Sequence, residues 1–458
     1  MTDVGLFRLY CHRASMNKIT VFLAVPNHIS GSDLLRTHYV EYLASKYRVV
    51  VLTPFMGSSP AAKEGYFASP EVEYVRHNLS QPGFWAVFKF LRISLVNEFD
   101  YLTSIKHWYQ RPNYKNSRSR RLVRFVGKPF SKILTADLFT KIENKLLSKS
   151  GRFLELVRQY KPNLVITATP GFDPWEAEII LLAKREGITT VAVDFSWDNL
   201  TMNSKHIRKT DYLVAWNSIM KKEAVEIHSY NPEKVFVSGT PRFDVYFDKN
   251  IDDPGRDQFL RSKRLDPKYK TIFHTTVTKA YPFQKKYIRD LIELRRSGRI
   301  TYVNLFIRVH PLDVYENYRE FLGVPDLRIE PAGRSNDKEM DYQDLLNLKH
   351  SLKYTDLNIN YASTISIEAC IFDKPVINIG FIDRFKLAYE FNHYRPIYES
   401  GAVRLAKTDD ELASLITAYL ENPKLDREAR GKIVKDYVEF TDGLSYKRSV
   451  ETLEKILS

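Results

Sequence analysis

The run DLNINYASTISIEACIFDKPVINIGF, residues 356–381, constrains the fold more than any other stretch of the chain. Its apolar residues at 357–361 suit a short buried strand. Ser363 and Thr364 stand where a helix begins. Lys374 and Pro375 end that helix, and 376–379 reads as a second buried strand. Two strands joined through a helix belong to a parallel sheet. A helix start with unsatisfied N–H groups and two hydroxyls also suits an anion. Glu368 lies one turn beyond Thr364 on the same helix face, where a carboxylate can accept ribose hydroxyls. An ordinary capped helix accounts for the same residues. No Gly-x-Gly-x-x-Gly stands at this turn, which excludes the dinucleotide fingerprint.

A second run, VNLFIRVHP at 303–311, brings chemistry to the same kind of place. Pro311 cannot donate to a ladder and stops the strand. Arg308 and His310 are therefore delivered at a strand's carboxyl end, where open α/β sheets bind ligands. The Arg fork matches phosphate oxygens. A His can hydrogen-bond phosphate or carry a proton near neutral pH. Thr275 and Thr276, which close the strand TIFHTT with His274, belong to the same wall.

The alternation extends through the chain. Residues 20–25 and 48–53 read as strands around a helix from about 32 to 46, with the loop PNHISGSD between. In that loop His28, Ser32 and Asp33 are expected to face a crevice, and Gly31 lets backbone approach a ligand. Ser32 or Asp33 also reads as a plain helix cap. Strands follow at 164–168, 191–195, 212–216 and 234–238, with Asp173-Pro174 opening a helix. The loop SWDNLT, 196–201, places Trp197, Asp198 and Asn199 after a strand.

These patterns give an α/β chain of two Rossmann-like domains facing across a cleft. The expected division is an N-terminal extension over 1–17, a first domain over 18–245 and a second over 246–458. The second ends in helices. At 458 residues there is length for two such cores. Residues 84–150 interrupt the alternation and read as a helical, basic insertion.

Charge enters the argument there. The net charge is +14, and the window 105–132 holds nine Lys or Arg and no acid. With the aromatic run FWAVFKFLRISLVNEF before it, the segment 84–132 suits an anionic membrane surface. A helical hairpin packed on its own domain is the plainer reading. Tyr109, Tyr114 and Phe125 interleave with Arg and offer stacking faces for a nucleic acid. No recognised nucleic-acid module accompanies them, so no nucleic-acid partner is expected. Cys11 and Cys370 alone exclude a disulfide framework or a cysteine metal cluster and fit a reducing compartment. No apolar run approaches a membrane span, and 1–17 lacks the core of a signal peptide.

The order GTPRFD, RVHP and ASTISIEACIFDKPVINIGF resembles bacterial surface-polysaccharide transferases of the GT-B type. CDP-glycerol glycerophosphotransferases, capsular Kdo transferases and bacterial polysialyltransferases look similar over the second half. SWDNLT and the pattern WNSIMKKEAVEIH to GTPRFD resemble a further group of envelope-carbohydrate transferases. The resemblance covers about 164–406. It implies that Arg308, His310, Ser363 and Thr364 hold the donor phosphate and that Glu368 touches the ribose; Thr275 and Thr276 join the expected phosphate set from their place on the same wall. The Asp/Glu-Asp/Glu-Gly motif of polysialyltransferases is missing, which puts sialyl transfer in doubt.

The function expected is metal-independent transfer from a CMP-, CDP- or UDP-linked donor to a cell-surface polysaccharide or lipid-linked glycan. Glycosyl transfer is preferred over glycerophosphate transfer. No cofactor is implied. The general base is sought in Asp198, His28 and Asp33, in that order. Trp197, Asn199 and Gly31 are the acceptor or sugar contacts. The expected place of action is the cytoplasm, at the inner face of the membrane. A nucleotide-sugar 2-epimerase shares the two-domain plan and is the rival enzyme. A nucleic-acid-binding protein using the basic insertion is the rival of another class.

Overall fold

The computed structural model describes residues 18–55, 65–80, 82–95, 133–146, 151–202, 208–278, 283–333, 341–380 and 387–458, with scattered positions between 102 and 129. The expected extension over 1–17, Cys11, and most of the basic window lie outside the described residues. Two compact units emerge. One comprises Met1–Arg242 with Leu444–Ser458, the other Phe243–Gly443.

The first unit is built on a seven-stranded sheet. Its strands are β1 (Thr20–Ala24), β2 (Arg48–Thr53), β3 (Val72–Arg76), β4 (Leu164–Thr167), β5 (Thr189–Val193), β6 (Tyr212–Ala215) and β7 (Val235–Val237), in the order β3-β2-β1-β4-β5-β6-β7. The second carries β8 (Lys270–Thr275), β9 (Val303–Val309), β10 (Leu327–Pro331), β11 (Leu357–Asn360), β12 (Val376–Ile379) and β13 (Val403–Ala406), in the order β10-β9-β8-β11-β12-β13. Every pairing is parallel. Both sheets therefore reverse direction of growth once, between β1 and β4 and between β8 and β11. Such a switch point opens a crevice at the carboxyl ends of the two strands.

A sheet covered on both faces needs apolar residues at successive positions. In β1, Val21 and Leu23 enter one core while Phe22 and Ala24 enter the other. Val49 and Val51 of β2 share the first core, and Val50 and Leu52 the second. The period of two along each strand thus feeds two helical layers. The last helix, Ser445–Leu457, joins the first of these cores through Val450 and Leu453. The boundary expected at 245/246 left this helix in the second domain. Its apolar face instead returns to the first sheet, a long-range contact that a linear division cannot show.

The helix expected from about 32 to 46 is two helices, His28–Leu34 and His38–Lys46. Asn27 accepts from the Ile29 and Ser30 amides and starts the first one early, while Thr37 caps the second. Between 84 and 150 the described elements are the helices Pro82–Leu95 and Ala136–Leu146. Arg92 of the former donates to Glu143 of the latter at 2.7 Å, and Arg208 reaches the same carboxylate at 3.0 Å. Trp85 donates to Glu178 at 3.1 Å and ties the first of these helices to the helix Pro174–Arg185. Among the described residues no helix is long and apolar enough to cross a membrane.

Candidate functional site

In the second unit the expected phosphate residues stand at the carboxyl ends of three neighbouring strands. Register places Thr275 of β8 beside Arg308 of β9, and His274 beside Ile359 of β11. The outer two strands, β9 and β11, are roughly 10 Å apart, twice the usual interstrand spacing. Beyond the ladder, the Thr276 hydroxyl accepts from the His310 amide at 2.9 Å. Both threonines are buried. The Thr275 hydroxyl has no hydrogen-bond partner among the described residues.

His310 is half-buried, and its Nδ1 accepts from the Leu312 amide at 3.0 Å. An amide can only donate, so the neutral ring carries its proton on Nε2. That is the donor form a phosphate oxygen requires. Pro311 sits between the two residues and shapes the turn, the role its position suggested.

Arg308 differs from the expectation of an exposed fork at the strand tip. It is 7% exposed, and its Nη2 donates to Asp344 at 2.8 Å. Asp344 lies in the first turn of the helix Tyr342–Tyr354, where the helix start favours a carboxylate. The pair carries no net charge, so Arg308 presents a fixed ion pair behind the strand ends. Asp344 gave no signal in the sequence, because nothing local ties that carboxylate to a cation 36 residues earlier in the chain.

Ser363 and Thr364 lead into the helix Ile365–Ile371, and both are half-buried. Ser363 Oγ accepts from the Ile365 amide at 3.3 Å, the turn that Ser before a helix commonly makes. The segment rests on a buried polar network. Asn360 Oδ1 accepts from Ser366 Oγ at 3.1 Å and from Asn378 Nδ2 at 2.9 Å. Tyr394 donates to Asn378 Oδ1 at 2.6 Å and contacts Ser366 Oγ at 2.7 Å. Each partner is satisfied, so the network fixes the helix start in one position. Glu368, expected at the ribose, is fully buried within the unit. A ribose contact from it therefore needs the unit to open locally.

In the first unit, the expected sugar contacts Asn199 and Trp197 are held by the loop after β5. Asn199 donates to Asp194 at 2.6 Å, and Trp197 is 5% exposed. Asp198 is half-buried and accepts from the Ser196 hydroxyl. Asp194 follows the apolar run of β5 and was missed, although a charged residue at the carboxyl end of a strand is the signal that picked out Arg308. Burial pushes its carboxyl up to about 8. Glu223, on the helix Ser218–Glu226, is also pushed up to about 8 by burial and by Asp194 and Asp198 beside it. Asp198 thus belongs to a group of three carboxylates, two of which hold protons near neutrality.

His28 is half-buried with its ring 4.3 Å from that of Phe55. Gly31 and Asp33 lie inside the first helix and are buried. Arg242 approaches Asp33 at 3.8 Å. The crevice loop expected at 26–33 is therefore mostly helix, and Asp33 is an ion-pair partner in a closed setting. Across the switch point, the loop after β4 is anchored by Glu176, which accepts from the Ala168 and Thr169 amides at 2.6 and 3.1 Å. Among the described residues no group of His, Cys, Asp and Glu is suited to hold a metal ion.

A family model for CDP-Glycerol:Poly(glycerophosphate) glycerophosphotransferase matches residues 184–455. The chain belongs to this family. The match takes in β5 to β7 and the whole second unit, hence the strand-end residues of the second unit and the Asp194–Asp198–Glu223 group, but not His28, Gly31 and Asp33. A curated relative, the teichoic acid poly(ribitol-phosphate) polymerase of Bacillus spizizenii, is 23% identical over 264 residues. That alignment covers 55% of this chain and 38% of the relative, so the chain spans well under half the length of the curated relative it matches.

Solved structures extend the likeness over the full length. The wall teichoic acid polymerase TagF, soaked with CDPG, is 12% identical with a TM-score of 0.53, covering 100% of this chain and 98% of that one. A UDP-N-acetylglucosamine 2-epimerase from Listeria monocytogenes is 14% identical with a TM-score of 0.55, covering 97% of each. The S. aureus MnaA–UDP structure is 12% identical with a TM-score of 0.54, covering 96% of this chain and 97% of that one. At such identities these likenesses show a shared GT-B-type fold. The epimerase reading has no support beyond that fold, whereas the glycerophosphotransferase family is matched by sequence.

Proposed function

We propose that this glycerophosphotransferase-family chain moves a polyol phosphate from a CDP-activated donor to a hydroxyl of a cell-surface polymer or its lipid-linked precursor. Phosphate transfer replaces the glycosyl transfer preferred from sequence alone. The observation that carries the reading is the family match over 184–455, which spans the second unit's strand ends. The acceptor oxygen bonds to the phosphorus bearing the polyol as that phosphorus parts from CMP, which leaves with the bridging oxygen. The acceptor proton passes to a base, for which Asp198 is the candidate.

The residues supply what this chemistry asks. His310 offers an Nε2–H to phosphate oxygens, and Ser363 and Thr364 offer hydroxyl and backbone donors held by the Asn360 network. Arg308, neutralised by Asp344, fixes the strand end behind them. Charge developing on the leaving CMP is met by aligned donors, so the proposal needs no metal. With a polymer acceptor of this type, the proposed place of action is the inner face of the membrane.

The test is CMP release from CDP-glycerol and from other CDP-polyols, with and without a polyol-phosphate or lipid-linked acceptor, beside UDP-N-acetylglucosamine alone. Acceptor-dependent CMP release supports the proposal. Conversion of the UDP-sugar without acceptor, with no CMP release from any CDP-polyol, overturns it in favour of the epimerase.

A further inference from the structure

We propose that Asp313 is a positioning residue for donor binding: it locks the turn that aims the His310 ring by joining that turn to the loop after β8. The inference rests on the reading of His310 as a phosphate contact and adds a residue that acts through it.

The turn is local in origin. Residues His310, Pro311, Leu312 and Asp313 form a β-turn in which the Asp313 amide donates to the His310 carbonyl at 2.9 Å. Proline's fixed φ suits the second place of such a turn. The same turn brings the Leu312 amide to His310 Nδ1 at 3.0 Å. That hydrogen bond sets both the tautomer and the direction of the ring, so the Nε2–H points where the turn puts it. A turn that shifts would carry with it the donor that a phosphate is to meet.

Asp313 is where the turn is held. Its Oδ1 accepts from the Val314 amide at 2.8 Å. Its Oδ2 accepts from the Tyr318 hydroxyl at 2.5 Å and from Gln284 Nε2 at 3.1 Å. Both Gln284 and Tyr318 are buried. Gln284 also accepts from the Val277 amide and donates to the Val277 carbonyl, each at 2.5 Å. Its side-chain amide thus pairs with backbone just past the end of β8, as a neighbouring strand would. The same loop meets the turn a second time, where the Thr276 hydroxyl accepts from the His310 amide at 2.9 Å. These links hold the loops after β8 and β9 together.

The residue type matters. Three donors converge on Asp313. An ionised carboxylate has two oxygens that accept and never donate, whereas an Asn would turn an NH2 group toward one of those donors. Burial, and then the Asp313 carboxylate beside it, pushes the Tyr318 hydroxyl well above the usual tyrosine range, so it stays a donor. Asp313 itself lies in no helix or strand, so neither sheet nor helix needs its side chain.

The experiment is a double-mutant cycle on the full chain, read by titration calorimetry with CMP well below each variant's melting temperature. The variants are Asp313→Ala, His310→Asn and the two combined. Asp313→Ala is expected to weaken CMP binding about tenfold on its own, but less than about twofold once His310 is Asn, because residues acting through one group are not additive. A purely structural role would lower the melting temperature and leave the affinity of the folded protein unchanged. Tyr318→Phe keeps the ring and removes one donor, and should give the same pattern at about threefold; it carries the cycle if Asp313→Ala does not fold. Unchanged CMP affinity in these variants overturns the proposal, and so does an equal loss in both backgrounds. The two levels separate cleanly. If His310→Asn weakens CMP binding and Asp313→Ala and Tyr318→Phe do not, this inference fails and the His310 assignment stands. If His310→Asn changes nothing, both fall.

Discussion

Arg308 on β9 and Asp344 in the first turn of the Tyr342–Tyr354 helix form an ion pair at 2.8 Å, with side chains only 9% and 10% exposed. A buried pair is costly to break from one side, since the remaining charge stays in a poor solvent. Asp344→Ala should destabilise the protein by about 3 kcal/mol or more. Urea unfolding checks this. Arg308→Met with Asp344→Leu should recover much of the loss, because the pair is then replaced by apolar volume.

Stability should fall as pH rises from neutrality. Asp194 and Glu223 have carboxyls raised to about 8 by burial. Between the ordinary carboxylate range and pH 8 the folded state keeps protons that the unfolded chain has lost. Their contribution is full at low pH and is lost as pH climbs through 8. Glu176 is raised well above its usual value by burial and acts in the same direction. Melting temperature should therefore drop between pH 6.5 and 8.5 by this linkage, and Asp194→Asn with Glu223→Gln should reduce the slope.

An opposite limb is expected in acid. Burial lowers His77 and His274 to about 4. The unfolded chain binds these protons first as pH falls below the usual histidine value, so the stability they lend is lost as pH falls through 4. Thermal scans should show this loss, and His274→Gln should shift it.

Gly171, in the loop after β4, has φ +93, and a Cβ there would stand 2.0 Å from the Arg208 carbonyl oxygen. Gly187 has φ +72 but nothing within 4 Å of a Cβ. Gly187→Ala should cost about 1 kcal/mol from backbone strain alone. Gly171→Ala should cost clearly more, since backbone must move. Comparing the two unfolding midpoints isolates the steric part.

The strands of both sheets were readable because parallel strands covered on two faces are apolar throughout, as in TVFLA and VNLFIRV. Not read were β3, whose five residues are at most partly buried, β10, which contains Arg328 and Glu330, and β13, whose Arg404 is exposed. Of the candidate site, the strand ends carrying Thr275, Thr276 and His310 and the turn at Ser363 were legible, because Pro311 and the hydroxyl pair punctuate them. The Asp344 partner and the Asn360–Asn378–Tyr394 network were not. Each depends on residues far apart in sequence meeting in a buried place, with no local pattern to announce it. The burial of Trp197 and Asp33 was illegible for the same reason: a polar loop motif does not reveal that its ring or carboxylate is turned inward.

Whether the second unit grips the donor's phosphate through His310 decides the proposed function. His310→Asn keeps a side-chain oxygen to accept from the Leu312 amide and removes the Nε2–H donor. Titration calorimetry with CMP and CDP-glycerol, on wild type and this variant, is the direct measurement. Loss of one hydrogen bond to a charged group should weaken binding about ten- to a hundredfold at an unchanged melting temperature. Equal affinity in a variant of wild-type stability would contradict the assignment.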